Sequence, residues 1–291
     1  MIDAAQRQKL KLALANINSL PAMPVIAQKL LALQLDTDRG ETQLIDLISR
    51  DPQISARIVG LANSPMMGLT RKINVVNDAA LILGLTKVKS VAIGIASMSN
   101  FSKLPPGDHF NPQDLWLHSM AVAIIMRSIA QAMPKNIRPN EDQIFLAGLL
   151  HDIGFMALHH VDHSASNEVH RQIKMQPGRP VLDIEMETLG VTHGQIGMQL
   201  AQSWNLPAEI VDVLGDHHLP HHDKSTTPNP LSQLLGLAEK LEPDFGICEN
   251  TGHAIDADDC LCLGIDPSNS EEIVNLASEL AMQVAQQGNT F

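Results

Sequence analysis

Residues 141–155 read EDQIFLAGLLHDIGF, and this stretch decides the fold class. It is apolar over 144–150 and follows a polar turn after Met133-Pro134, which predicts a helix from about Glu141 to Phe155. Near its end stand the adjacent His151 and Asp152, and Gly154 reads as the helix terminator. Outward from here the pattern stays helical. Asn111-Pro112 joins a side-chain cap to a residue with no amide to lose, and opens an apolar helix reaching Met133. Asp51-Pro52 repeats that signal and predicts a helix to about Asn63, while Gly84 separates helices over 77–83 and 88–101. Further helices are expected over 25–35, 42–49, 181–189, 193–204, 207–216, 231–241 and 271–287. The loop Pro105-Pro106-Gly107 is the expected subdomain boundary, 219–230 reads as an exposed loop, and 246–267 as acidic and irregular.

Composition supports an all-α protein. Of 291 residues, 44% are hydrophobic and only 3% aromatic, with no Tyr, so the chain can bury a core but lacks the material of an all-β barrel. Twenty Lys and Arg against 32 Asp and Glu give a net charge of −12, which argues against a broad nucleic-acid or anionic-membrane surface. Neither a signal peptide nor a membrane span is read, since the apolar stretches 91–96 and 121–126 are short. Cys248, Cys260 and Cys262 form no disulfide framework and fit a reducing cytoplasm. Arg71, Lys72, Lys87 and Lys89 read as solvated helix ends.

Twelve of the thirteen His lie between His109 and His222, the clustering a metal site needs. Asp114 and His118 share a helix face at i and i+4, although such a pair alone is more often a surface hydrogen bond. His151 and Asp152 project about 100° apart on an ideal helix. Both serve one site only near a helix end, or where two ions are bridged by the carboxylate. His159, His160, His163 and His170 read as a solvated face, and His221 and His222 as members of an exposed loop.

The segment LAGLLHDIG at 146–154 resembles the HD superfamily of metal-dependent phosphohydrolases. LPAMP at 20–24, DPQISARIVGLANS at 51–64, INVVNDAALILG at 73–84, LWLHS at 115–119 and WNLPAEI at 204–210 narrow the likeness to HDOD domains, the HD-related output domains of bacterial signalling proteins. The resemblance covers 16–246. It implies two helical lobes, about 16–105 and an HD-like metal-binding lobe at about 106–246, followed by a C-terminal extension, 247–291, with one helix. It also implies a ligand set: His118, His151 and Asp152, with Glu239 where the superfamily usually has its last Asp. Asp114, His193, His217 and His218 resemble the extra ligands of the HD-GYP cyclic-dinucleotide phosphodiesterases. No GYP signature follows His218, and Phe155 stands where those enzymes carry a phosphate-contacting Lys, so their activity is not carried over.

This donor set suits one or two divalent ions, with Fe or Mn leading and Zn or Ni as further fits. Asp152 is the expected bridging and catalytic carboxylate. Two classes of function stand side by side: a phosphohydrolase acting on a nucleotide or other phosphoester, and a non-enzymatic signalling module that meets a partner protein and keeps a structural or vestigial metal site. The segments outside 16–246 are too short for a second ordinary domain, so the module is expected to take its input from a partner or ligand.

Overall fold

The computed structural model describes residues 4–15, 19–63, 69, 71–101, 104–218, 229–242, 245, 247 and 254–287. These form an all-α, two-lobed fold with no strand among the described residues. After α1 (Ala4–Ala15), the N-terminal lobe comprises α2 (Val25–Leu31), α3 (Asp38–Ser49), α4 (Pro52–Ala62), α5 (Val76–Leu83) and α6 (Leu85–Ser99). The HD-like lobe follows with α7 (Pro112–Ala132), α8 (Glu141–Leu150), α9 (Ile153–Val161), α10 (His163–Met175), α11 (Val181–Thr188), α12 (His193–Ser203), α13 (Ala208–Asp216) and α14 (Pro230–Leu241). After it come α15 (Ala257–Leu261), a 3-10 turn at Pro267–Asn269 and α16 (Ser270–Gln287), which packs on α7.

Local capping accounts for the helix starts. The Asp51 carboxylate accepts from the Gln53 and Ile54 amides at 3.0 Å each, and the Asn111 side chain accepts from the Gln113 amide at 3.1 Å. Each has a Pro next in line, and such a cap stabilises by about 1 kcal/mol. Thr37 caps α3 from the Gly40 amide, so that helix begins at Asp38 rather than at the expected Thr42.

Four expectations are corrected. The continuous helix over 141–155 is two helices, because α8 ends at Leu150 and α9 begins at Ile153, leaving His151 and Asp152 as the turn between them. Gly154 terminates nothing. It lies in the first turn of α9, where a Cβ would stand 1.9 Å from the His193 carbonyl oxygen, so its lack of a side chain lets α9 meet α12. The C-terminal segment holds α15 as well as the expected last helix, opened by a reciprocal capping box between Asp256 and Asp259. Lys87 is no solvated end: it is 4% exposed and pairs with Glu141 at 3.4 Å, while Lys89 donates to the Leu33 carbonyl at 2.6 Å. Arg71 and Lys72 are exposed, as expected.

The middle of the HD-like lobe is the apolar centre of the molecule. Pro112–Ala132 and the run Glu141–Val161 are long and apolar enough to cross a membrane, and 72% and 89% of their apolar windows are buried inside the fold. The stretch 121–126, read as short, is thus one part of a 21-residue core helix. Gly148 lets α8 lie against α7, since a Cβ there would come within 2.5 Å of the Ala123 Cα. The α7–α8 contact and the α9–α12 contact hold the elements that carry the functional side chains.

Candidate metal centre

Asp152 sits in the turn between α8 and α9 with φ −99° and ψ 13°, a backbone region frequent at functional positions. From this turn both His151 and Asp152 reach the same cluster of side chains. His118 comes from the second turn of α7, His193 from the first turn of α12 behind the Thr192–Gln195 capping box, and His217 and His218 from the end of α13. Glu239 comes from α14.

The two carboxylate oxygens of Asp152 face different imidazoles. Oδ2 lies 3.2 Å from Nε2 of both His118 and His151, and those two nitrogens are 3.0 Å apart. Oδ1 lies 3.4 Å from Nε2 of both His193 and His217, which stand 3.2 Å apart. Glu239 spans the two halves, with Oε1 3.3 Å from His151 Nε2 and Oε2 3.6 Å from His218 Nδ1. His118, His151, Asp152, His193 and Glu239 are fully buried and His217 nearly so, whereas His218 is partly exposed. The structure therefore gathers seven of the eight residues singled out. Asp114, one turn before His118 on α7, is half-buried, accepts from the Asn111 side chain at 2.9 Å and belongs to neither half.

Behind each of the four rings around Asp152 stands an acceptor for its other nitrogen. His118 Nδ1 lies 2.7 Å from Glu242, and His193 Nδ1 lies 2.9 Å from both oxygens of Glu185. His151 Nδ1 meets the Gly148 carbonyl at 2.9 Å, and His217 Nδ1 meets the Val213 and Leu214 carbonyls at 3.2 Å. In a neutral ring, as at His151, His193 and His217, an acceptor at Nδ1 places the hydrogen there and leaves the Nε2 lone pair facing Asp152. Glu185 and Glu242 are positioning residues that the sequence reading missed. Glu242 could have been found as the carboxylate one helical step, i+3, beyond Glu239, whereas Glu185 lies eight residues before His193 on another helix and leaves no spacing signal.

The electrostatics agree with a cation site. Burial pushes His151, His193 and His217 below the ordinary imidazole value, so they are neutral near pH 7, the form that can bind a metal. At His118 burial also opposes charge, but the Glu242 and Asp152 carboxylates outweigh it and hold the ring well above its usual value. Burial would raise Asp152, yet the surrounding imidazoles, His151 first, keep it well below the usual carboxylate range. Both Asp152 oxygens are buried with imidazole nitrogens at 3.2–3.4 Å around them and none in good hydrogen-bond geometry, and a cation between carboxylate and imidazoles would satisfy them. The distances fit as well: metal–ligand bonds of about 2.1 Å place neighbouring donor atoms about 3.0–3.4 Å apart. The residues present fit a metal on each side of Asp152.

Other buried groups surround the centre. Phe155 stacks on His193, with ring centroids 4.3 Å apart and planes 20° from parallel. The expectation of a solvated face holds for His160 and His163, which are exposed, and fails for His159 and His170. Those two are buried because the Phe110 ring covers both, at 4.9 and 4.4 Å. Cys260 is a buried free thiol and Cys262 an exposed one. Cys248, His221, His222 and most of the loop expected over 219–230 lie outside the described residues.

An all-helical, two-lobed chain with a buried His/Asp cluster at a broken helix defines an HD-type protein. A family model for the HDOD domain matches residues 20–220, and the chain belongs to the HDOD family. A crystal structure of a protein from Marinobacter aquaeolei VT8, provisionally named for signal transduction, superposes with a TM-score of 0.78 at 24% identity over 99% of this chain and 66% of that one. One from Shewanella amazonensis SB2B, provisionally named a phosphohydrolase, gives 0.69 at 23% identity over 94% and 97%. An HDOD domain protein of unknown function from Geobacter sulfurreducens gives 0.64 at 25% identity over 96% and 99%. An uncharacterized protein of Treponema pallidum is 25% identical over 230 residues, or 77% of this chain; the chain spans 43% of that relative's length.

Proposed function

We propose that this chain is a metal-dependent phosphohydrolase whose centre holds one or two divalent ions, Fe or Mn first, and acts on a nucleotide or other phosphoester. The observation that supports it most is the division of one buried carboxylate between two pairs of inward imidazole nitrogens, the arrangement of a two-metal site with a shared ligand. Bound there, such ions supply polarisation of a phosphoryl oxygen and a lowered pKa for the attacking water.

The residues of the chain divide the remaining tasks. His118 and His151 hold one position, His193 and His217 the other, and Asp152 spans both. Glu239 closes the far side between His151 and His218. Glu185 and Glu242 keep their rings oriented, and Phe155 braces His193 from behind. Phe155 is fully buried in that packing and offers no phosphate contact, which weighs against a cyclic dinucleotide as substrate.

The enclosure of the centre favours a second reading, a signalling module with a structural metal that works through a partner protein. Six of the seven clustered residues are at most 3% exposed, and only His218 among them reaches solvent in part. The test is turnover of bis(p-nitrophenyl) phosphate, p-nitrophenyl phosphate and a nucleotide panel by Mn(II)- or Fe(II)-loaded protein. Metal-dependent hydrolysis that Asp152→Asn abolishes without loss of helical circular dichroism supports the enzyme. A metal-replete protein that hydrolyses none of them overturns it in favour of the module.

A further inference from the structure

The two lobes leave a cleft of about 230 Å³ between α4 and α6 on one side and α7 and α9 on the other, away from the ligand side chains of the metal centre. Its walls have two characters. Ile95, Met98, Phe101 and Met156 make an apolar side, while Arg57 and Trp116 make a polar one. The Arg57 guanidinium lies 4.1 Å from the centre of the Trp116 ring. Among the described residues it has no ion pair, and Asp114, the acid in the first turn of α7, is engaged by Asn111 instead. Burial draws Arg57 below its ordinary value with no carboxylate opposing the shift. Trp116 is 3% exposed, and its indole N–H is buried without an acceptor. A half-buried cation with no counter-ion among the described residues is costly to maintain, and an oxyanion in the cleft offsets that cost.

We propose that this cleft is a binding site for a small organic monoanion, a carboxylate on a compact apolar body. Arg57 is its counter-ion, the Trp116 ring holds the guanidinium in place, and the Ile95–Phe101–Met156 wall is the seat for the apolar part. Among the described lining residues Arg57 is the one cation, and it balances one negative charge, so a dianionic phosphate ester would leave a charge unmatched by them. The volume lies below the roughly 300 Å³ at which drug-sized pockets begin, which sets the ligand at the size of an aromatic or short aliphatic acid. A bound ligand touches both lobes and rests on the helix that carries His118. The site stands whether or not the metal centre is catalytic.

Calorimetric titration of the full chain with benzoate, the isosteric neutral benzamide and phenyl phosphate tests this. Benzoate is expected to bind at one equivalent, at least tenfold tighter than either of the others and with a change in Trp emission. Arg57→Met should weaken benzoate at least tenfold while leaving metal content and helicity unchanged, and Arg57→Lys should recover part of the loss. Absence of saturable benzoate binding overturns the proposal, as does equal affinity for benzamide or undiminished binding in Arg57→Met. Phenyl phosphate binding as tightly as benzoate overturns the monoanion assignment. The comparison of benzoate with benzamide uses the unaltered protein, so it decides even if a variant fails to fold.

Discussion

Two groups of buried histidines lie on either side of Phe155, and they differ in the company they keep. On one side His118, His151, His193 and His217 face Asp152, with carboxylates or carbonyls behind them. On the other, His159 meets the Ser166 hydroxyl at 3.1 Å and the Pro105 carbonyl at 2.9 Å, while His170 Nδ1 donates to the Ser166 carbonyl at 2.8 Å. His170 packs on Phe110 and Phe155 and belongs to neither group of clustered ligand atoms. Burial makes most of the rings on both sides neutral, yet only the first side places their free lone pairs around a carboxylate. Density of histidine therefore does not define a metal site; an anion shared between inward Nε2 atoms does.

The largest expected effect breaks the first group at its shared ligand. Asp152→Asn should remove metal from both positions, whereas His170→Leu should leave metal content unchanged; elemental analysis of the two purified variants separates them. Next comes the support behind the rings. Glu242→Gln should weaken metal binding about 10–100-fold with the fold intact, because it withdraws the carboxylate that holds His118, and a competition titration with a chelator reads the change.

The second group should show itself through pH instead. Burial lowers His170 to about 4, so its native form is neutral where the unfolded chain begins to take up a proton below about 6.5. Its contribution is complete above that value and declines as pH falls toward 4, by about 3 kcal/mol in all. Denaturant unfolding across this range should show the decline in the native chain and a flatter profile in His170→Leu. The smallest effect is expected at Asp114→Ala, which should cost no more than about 1 kcal/mol through the first turn of α7 and leave metal content as it was. A loss of metal there would instead add Asp114 to the ligand set.

What the sequence made legible was local. Asp51-Pro52 and Asn111-Pro112 announce their helices because a cap and its amides lie within three residues, and the order of motifs from LPAMP to WNLPAEI identified the family. In the fold those two end motifs meet, with the Trp204 indole donating to the Pro21 carbonyl at 2.9 Å. What stayed hidden was set by distant partners. The break at His151-Asp152 accompanies the packing of Gly154 on the His193 backbone, 39 positions further along the chain. Polar neighbours in sequence disguised His159 and His170, whose burial comes from Phe110. Glu185 reaches His193 only after α11 and α12 fold together, and Lys87 is buried where α6 meets the start of α8.

The most direct test is elemental analysis of protein purified without an affinity metal, beside His118→Ala, His217→Ala and Asp152→Ala. Division of Asp152 between two sites predicts two equivalents of divalent metal in the native chain, about one in each His variant and none in Asp152→Ala. A native chain without bound metal, or an Asp152→Ala variant with undiminished metal, would contradict it.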